Sequence, residues 1–377
     1  MLSIHKNGYA HTLLVLLSVA GELPVKALHL VGNERFARRL VRKMELPQRV
    51  LFEGAVISDQ LRILQVSGKG DLKTVRLTRR ALSILEMIHP LSLSHYMTAF
   101  YNHRFPGTHA HIWRNHRVAE ALAMMMTSGI EIRQYVLPHL QKKEIKKVLD
   151  VVPSFYTSRS IKDLGGSEMN KTMFTRVVGA LFTEDNVYAV YNTRDAVMRW
   201  SGLGEFKTYH HVTDIARMNA GITEFDSAIL FGSDASVALQ TLLESDKSQR
   251  KEMRFDSIYR HVHFVPLARQ GKPLLRLFSR LGWREELQQM VFPEEMRIKG
   301  HTFMELDAMY NGTYIMNHLD CDIARLIRFH DAAKGTPDTR FEVIAYPWQV
   351  EFLKRYLLPD ISIKVIDEAT LTRNLHL

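Results

Sequence analysis

The sequence predicts an α/β protein: an N-terminal winged helix-turn-helix followed by an α/β domain with a mostly parallel sheet. Three observations predict it. Residues 1–90 read as three helices and a basic hairpin, residues 153–377 read as alternating strands and helices, and positive charge gathers in the first of these regions. Strand–helix alternation favours parallel pairing, because parallel neighbours need a long crossover that is usually a helix.

The chain of 377 residues exceeds one ordinary hydrophobic core. The organisation expected is a DNA-binding domain over 1–90, a helical connector over 91–152 and an α/β domain over 153–377. Hydrophobic content of 46% and charged content of 24% are those of a folded globular chain. The single cysteine, Cys321, cannot form an internal disulfide, which points to a reducing, cytoplasmic setting. The apolar run "TLLVLLSVAG" (12–21) is shorter than the ~20 residues a membrane span needs. It resembles a signal-peptide core, but its basic leader is thin and patterned helix follows it, so it reads as a core helix with no membrane role. Net charge is +10, and over residues 1–90 Lys and Arg outnumber Asp and Glu by 14 to 7. A concentration of that kind implies a polyanionic partner.

Taken in order, "GYAHTLLVLLSVAGEL" predicts a first helix and "LPVKALHLVG" a second. Pro24 suits the opening turn of that second helix, and Gly32 suits a left-handed stop. Asn33 then caps a third helix to about Met44, ended by Pro47. At about 100° per residue, Phe36, Ala37, Leu40, Val41 and Met44 share one arc. Arg35, Arg38, Arg39, Arg42 and Lys43 fill the opposite arc, so the helix buries one face and leaves the other cationic. Next, "LRILQVSGKGDLKTVRLT" (61–78) predicts a hairpin turning at Gly68–Gly70, with Lys69, Lys73 and Arg76 along it. Three helices and a basic hairpin are the layout of a winged helix, whose last helix enters the major groove. Arg35, Arg38, Arg39, Arg42, Lys43, Lys69, Lys73 and Arg76 are therefore the candidate contacts to double-stranded DNA.

Thr78 caps a helix over 79–88, "NHRVAEALAMMMTSGIEI" (115–132) predicts a helix ending near Gly129, and the lysine-rich stretch 137–153 reads as a solvated helix face. Beyond Pro153, strands such as "NVYAVYNT", "SAILFGS", "HVHFVPL", "TYIMNHL" and "RFEVIAYP" are each followed by a helical or turn-rich segment. No internal repeat and no phosphate-binding glycine loop is present. Trp348, after Pro347, reads as a packing residue near the rim of the sheet.

Two patterns in the second half carry catalytic alternatives. Glu205-Phe206-Lys207 on a strand, with Asp185 or Asp195 from a neighbour, would match the metal core of restriction-type nucleases. There the carboxylates hold Mg²⁺ or Mn²⁺ and the lysine orients water or phosphate. His261-Val262-His263 places two imidazoles on one sheet face. Relaxases use such a pair to hold a divalent cation beside a tyrosine, for which Tyr310, Tyr314 and Tyr356 are candidates. The remaining histidines lack metal-ligand spacing.

The layout of winged helix, then "LTRRALSILEMI" and "NHRVAEALAMM", then a nuclease-like α/β domain resembles the replication-relaxation type proteins of bacterial plasmids and integrative conjugative elements. That resemblance implies a DNA-binding accessory of plasmid replication, mobilisation or its regulation, with protein partners in a replication or transfer complex or a homodimer. It assigns no catalytic residue. Binding of this kind requires no cofactor, and Mg²⁺ or Mn²⁺ enters only under the alternative of a metal-dependent nuclease or relaxase. A third alternative is a protein-interaction module.

Overall fold

The computed structural model describes residues 1–105, 107–133, 152–164, 176–198, 203–247, 254–298 and 305–377. The chain is a mixed α/β protein that divides into two compact units, Met1–Val136 and Leu137–Leu377.

In the first unit, β1 (Leu2–Ile4) leads to α1 (Tyr9–Ala20), β2 (Glu22–Pro24), a single 3₁₀ turn, α2 (Leu28–Val31) and α3 (Glu34–Met44). Four strands follow: β3 (Gln48–Phe52), β4 (Ala55–Leu61), β5 (Leu64–Ser67) and β6 (Thr74–Leu77). Then come α4 (Leu82–Ile88), α5 (Pro90–Ala99), α6 (His109–Thr127) and a short strand β7 (Glu131–Arg133). The apolar run noted in the sequence is the buried central helix α1, against which α4, α5 and α6 pack. The expected connector over 91–152 is thus corrected: α5 and α6 belong to the first unit, and the boundary moves from about 90 to 136. The lysine-rich helix expected over 137–153 falls almost wholly outside the described residues.

Two small sheets complete this unit. One has the order β2-β6-β5, all antiparallel, and the other the order β1-β3-β4. The second sheet was not anticipated. Its hairpin turns at Glu53 and Gly54, both at positive φ, the geometry of a two-residue hairpin loop. Pro24 closes β2 and does not sit inside a helix, and Gly32 is extended (φ 164°, ψ −147°), not left-handed. Its missing side chain matters for space: a Cβ on Gly32 would lie 2.0 Å from Cε1 of the Tyr9 ring.

In the second unit, β8 (Ser154–Thr157), α7 (Ser158–Leu164), β9 (Val177–Phe182), β10 (Val187–Arg194), α8 (Leu203–Ile215), β11 (Ser227–Gly232), α9 (Ala235–Asp246), α10 (Phe255–Ile258) and β12 (His261–Pro266) build one sheet with its helices. After α11 (Gly271–Phe278) and α12 (Trp283–Val291), a second sheet forms from β13 (Ala308–Tyr310), β14 (Thr313–Asn317), β15 (Arg340–Ala345) and β16 (Ser362–Val365). Its helices are α13 (Ile323–Lys334), α14 (Val350–Tyr356) and α15 (Glu368–Asn374). Within this unit the first sheet runs β12-β11-β10-β9-β8 and the second β13-β14-β15-β16. β10, β11 and β12 are parallel, as are β14, β15 and β16, but β8, β9 and β13 pair antiparallel. The single mostly parallel sheet expected is corrected to two mixed sheets. β9, β10 and β11 are buried at every position, as strands covered on both faces are. One apolar core, from Phe182 and Leu230 to Val343 and Phe352, joins both sheets.

Arg76 is corrected from a DNA contact to a structural residue. Directly opposite Glu22 across β2 and β6, it donates to the fully buried Glu22 Oε2 from Nε (2.9 Å) and Nη2 (2.6 Å), and its guanidinium lies 4.4 Å from the Phe105 ring. Arg76→Ala would strand a buried carboxylate. It is expected to cost about 3–5 kcal/mol in urea denaturation, whereas Lys69→Ala and Lys73→Ala, on an exposed turn, should stay within ~0.5 kcal/mol.

Candidate functional site

α3 forms because its sequence satisfies both ends and one side. Asn33 Oδ1 accepts from Phe36 N at 3.1 Å, Glu34 opens the first turn, and Arg42 and Lys43 close the last, each favourable to the helix dipole. Ala37, Leu40, Val41 and Met44 are buried. Phe36, expected on the core arc, is instead 47% exposed. Its ring leans on Tyr9, itself 46% exposed, with centroids 5.0 Å apart.

Arg35, Arg38, Arg39, Arg42 and Lys43 are all exposed. Arg38 pairs with Glu34 at 2.7 Å, one helical turn away. Arg35, Arg39, Arg42 and Lys43 make no ion pair with a described residue. The hairpin carrying Lys69 and Lys73 is fixed to the same helix: Ile63 N donates to Met44 O (3.0 Å) and Val66 N to Glu45 Oε1 (3.0 Å). Both lysines are exposed and likewise unpaired among the described residues. Gly68, at φ 86°, opens the turn that carries them, and a Cβ there would meet Leu72 O at 2.4 Å.

The Glu205–Lys207 pair does not have the geometry its chemistry needs. Both lie on helix α8, not on a strand. On a strand, residues two apart share a face; on a helix they point ~200° apart. Accordingly Glu205 is buried, 3.5 Å from Arg176, while Lys207 is exposed. Asp185, its expected partner, accepts from Gly282 N and Thr183 Oγ1. The metal core of a restriction-type nuclease is not assembled by these residues.

His261 and His263 do share a face of β12, their rings nearly parallel with centroids 6.2 Å apart. Each is already engaged. His261 Nδ1 lies 2.7 Å from Asp322 Oδ2, and His263 Nδ1 lies 2.9 Å from the Asp320 carbonyl oxygen. His263 is fully buried beside Tyr188, Phe278 and Trp283. Of the candidate tyrosines, Tyr356 is buried against His330, and Tyr310 is exposed at the end of β13.

The residue organising this region is Asp322, which the sequence reading passed over. It caps α13, accepting at Oδ1 from Ala324 N and Arg325 N (3.1 Å each) and from Val262 N on β12 (2.9 Å). Phe264 N donates to Cys321 O at 2.9 Å, so the segment before α13 covers the open edge of β12. Burial works against the Asp322 charge, but the His261 hydrogen bond and the charges of His261, His263 and Arg328 outweigh it and hold the carboxyl well below its usual range. Asp320 is shifted the other way, by burial first and by the charge of Asp322. His263, Asp320 and Asp322 offer donor atoms within 4.8 Å of one another. Because both Asp322 oxygens are occupied, this cluster reads as the joint between β12 and α13. The sequence signal was Asp322 immediately ahead of an amphipathic run, an N-cap pattern.

Beside the joint lies a cleft of about 720 Å³, lined by His261, Asp226, Arg260, Arg297, Asp307 and Arg325 among others. Its charges interleave: Arg325 lies 2.5 Å from Asp307, Arg260 3.8 Å from Glu305 and Arg297 3.1 Å from Glu285. A wall of paired charges presents no field of one sign. Trp348 is half-buried against Tyr346 and Phe264, a packing position.

Comparison with protein-family models, with curated proteins and with solved structures finds no match to this chain. Among the described residues, no helix is long and apolar enough to cross a membrane.

Burial pushes His263 down to about 4 and His318 down to about 3. An unfolded histidine takes its proton near pH 6.5, so in the window from about 6.5 to 4 the unfolded chain binds more protons and stability falls with pH. Asp322 keeps its contribution until pH falls below the ordinary carboxylate range. Burial instead raises Asp320 to about 6, so the folded chain takes that proton first and below this pH returns part of what the histidines cost. Hydrogen exchange of the β10–β12 amides should show this unit losing about 2 kcal/mol per buried histidine between pH 7.5 and 5. His318→Asn should remove about half of that slope, and a pH-independent stability would contradict the assignment of both rings as neutral.

Proposed function

We propose that the chain binds duplex DNA through its first unit, with α3 as the groove-facing helix of a winged helix-turn-helix and the β5–β6 turn as its wing. The observation that carries this reading is the cationic row of Arg35, Arg39, Arg42 and Lys43, without ion pairs among the described residues, on a helix whose opposite side is locked into the core. Such a row costs self-repulsion in the free protein and is relieved by a phosphate backbone. The chain order also supports the reading. β2 falls between α1 and α2, and the antiparallel order β2-β6-β5 places the hairpin after α3. The two hydrogen bonds from the hairpin region to the end of α3 give helix and wing a fixed mutual geometry, as groove and backbone contacts must have.

The residues proposed to meet DNA are Arg35, Arg39, Arg42, Lys43, Lys69 and Lys73, with Arg38 partly committed to Glu34 and Arg76 left out. A role as an accessory in replication or transfer of a mobile element rests on the resemblance to the replication-relaxation proteins and extends this reading. The nuclease and relaxase alternatives have no assembled site among their named residues.

Fluorescence anisotropy of the full chain on a duplex, over a range of salt concentrations, tests the proposal. Arg39→Ala with Arg42→Ala should weaken binding and reduce the slope of log affinity against log salt by about 1–2, at ~0.9 for each phosphate no longer neutralised. Lys207→Ala, an exposed cation of the second unit, should leave the slope unchanged. An unaltered slope in the double variant would overturn the assignment of α3.

A further inference from the structure

We propose that Phe36 is a specificity-determining residue that reads a thymine methyl group in the major groove. The inference rests on the DNA-binding reading and adds to it the element that phosphate contacts cannot supply, since these position a protein without reading sequence. Phe36 is in the first turn of α3, the end from which a groove-facing helix reaches base edges. At a helical repeat, Phe36, Arg39 and Lys43 stand in one row, so the ring lies among the exposed cations of α3 and not apart from them.

The exposure is built. A lone exposed apolar side chain is ordinary, but this one is braced by a ring from another helix. Tyr9 of α1 supports the Phe36 ring with centroids 5.0 Å apart, and Tyr9 fits only because Gly32 leaves its Cβ position open. The other apolar residues of α3, Ala37, Leu40, Val41 and Met44, are at most 9% exposed, against 47% for Phe36. An apolar partner protein, or a second copy docking on this ring, would strip water from Arg39 and Lys43 without supplying counter-charge. Duplex DNA supplies both: phosphates for the cations and, at the major-groove edge of each A·T pair, an apolar methyl.

The experiment begins by selecting the preferred site of the full chain from a random duplex pool. Each thymine of that site is then replaced by deoxyuridine, which lacks only the methyl group. The wild-type protein should lose roughly 4-fold in affinity at one or two positions, the worth of a buried methyl. Phe36→Ala should lose affinity for the thymine site yet be indifferent to the same replacement, with the salt slope unchanged. Phe36→Leu, which keeps an apolar tip, should retain part of the discrimination. The inference is overturned if Phe36→Ala discriminates thymine from deoxyuridine as wild type does. It is equally overturned if the variant alters the salt slope, which would make the ring a brace for α3, or if it changes the oligomeric state, which would assign the patch to a second copy. A wild-type chain with no salt-dependent duplex binding would overturn the parent reading as well, whereas the other outcomes leave that reading standing.

Discussion

An eleven-residue helix is too short to persist alone in water. α3 therefore exists because Ala37, Leu40, Val41 and Met44 are held by the rest of the first unit, and everything on its outer side inherits that orientation. Burying one arc fixes which residues remain outside. In this chain the outer arc is almost wholly cationic. Core packing and surface charge are thus two consequences of one pattern, and the pairing of Arg76 with buried Glu22 shows that the unit uses the same residue type differently when it is turned inward.

The second unit depends on a different interaction. β12 would be an open sheet edge, a liability in most folds, were it not covered by the segment leading into α13. Asp322 makes that cover: one carboxylate caps the helix, receives an amide from β12 and fixes the His261 ring. The arrangement gathers histidines and carboxylates around bonds that join two sheets: both Asp322 oxygens and His263 Nδ1 are engaged, while His263 Nε2 is buried with no hydrogen-bond partner among the described residues.

How much of this was legible in the sequence follows from range. The third helix, its cap at Asn33 and its two arcs were readable because capping and a 3.6-residue repeat are local. The hairpin at Gly68–Gly70 was readable for the same reason. The β3–β4 hairpin was missed although Glu53-Gly54 marks its turn, because β4 lacks the alternation of a half-buried strand and carries exposed residues through most of its length. Glu205-Phe206-Lys207 fits a strand motif only if it is a strand; the core supplied by Val212 and Ile215 draws the segment into a helix and turns Glu205 and Lys207 apart. Arg76 and Phe36 were misassigned because their fates depend on partners 54 and 27 positions away, Glu22 and Tyr9, which no local pattern contains. The same holds for Asp322, whose cap was local but whose bond to His261 spans 61 positions.

The central claim is that the outer face of α3, with the adjoining turn, is the surface that meets DNA. Hydrogen–deuterium exchange of the full chain, with and without a saturating duplex, tests it at the level of segments. The account predicts added protection at residues 33–44 and 67–73, with the cleft beside His261 unaffected. Protection confined to the cleft, or binding with no change along α3, would contradict it.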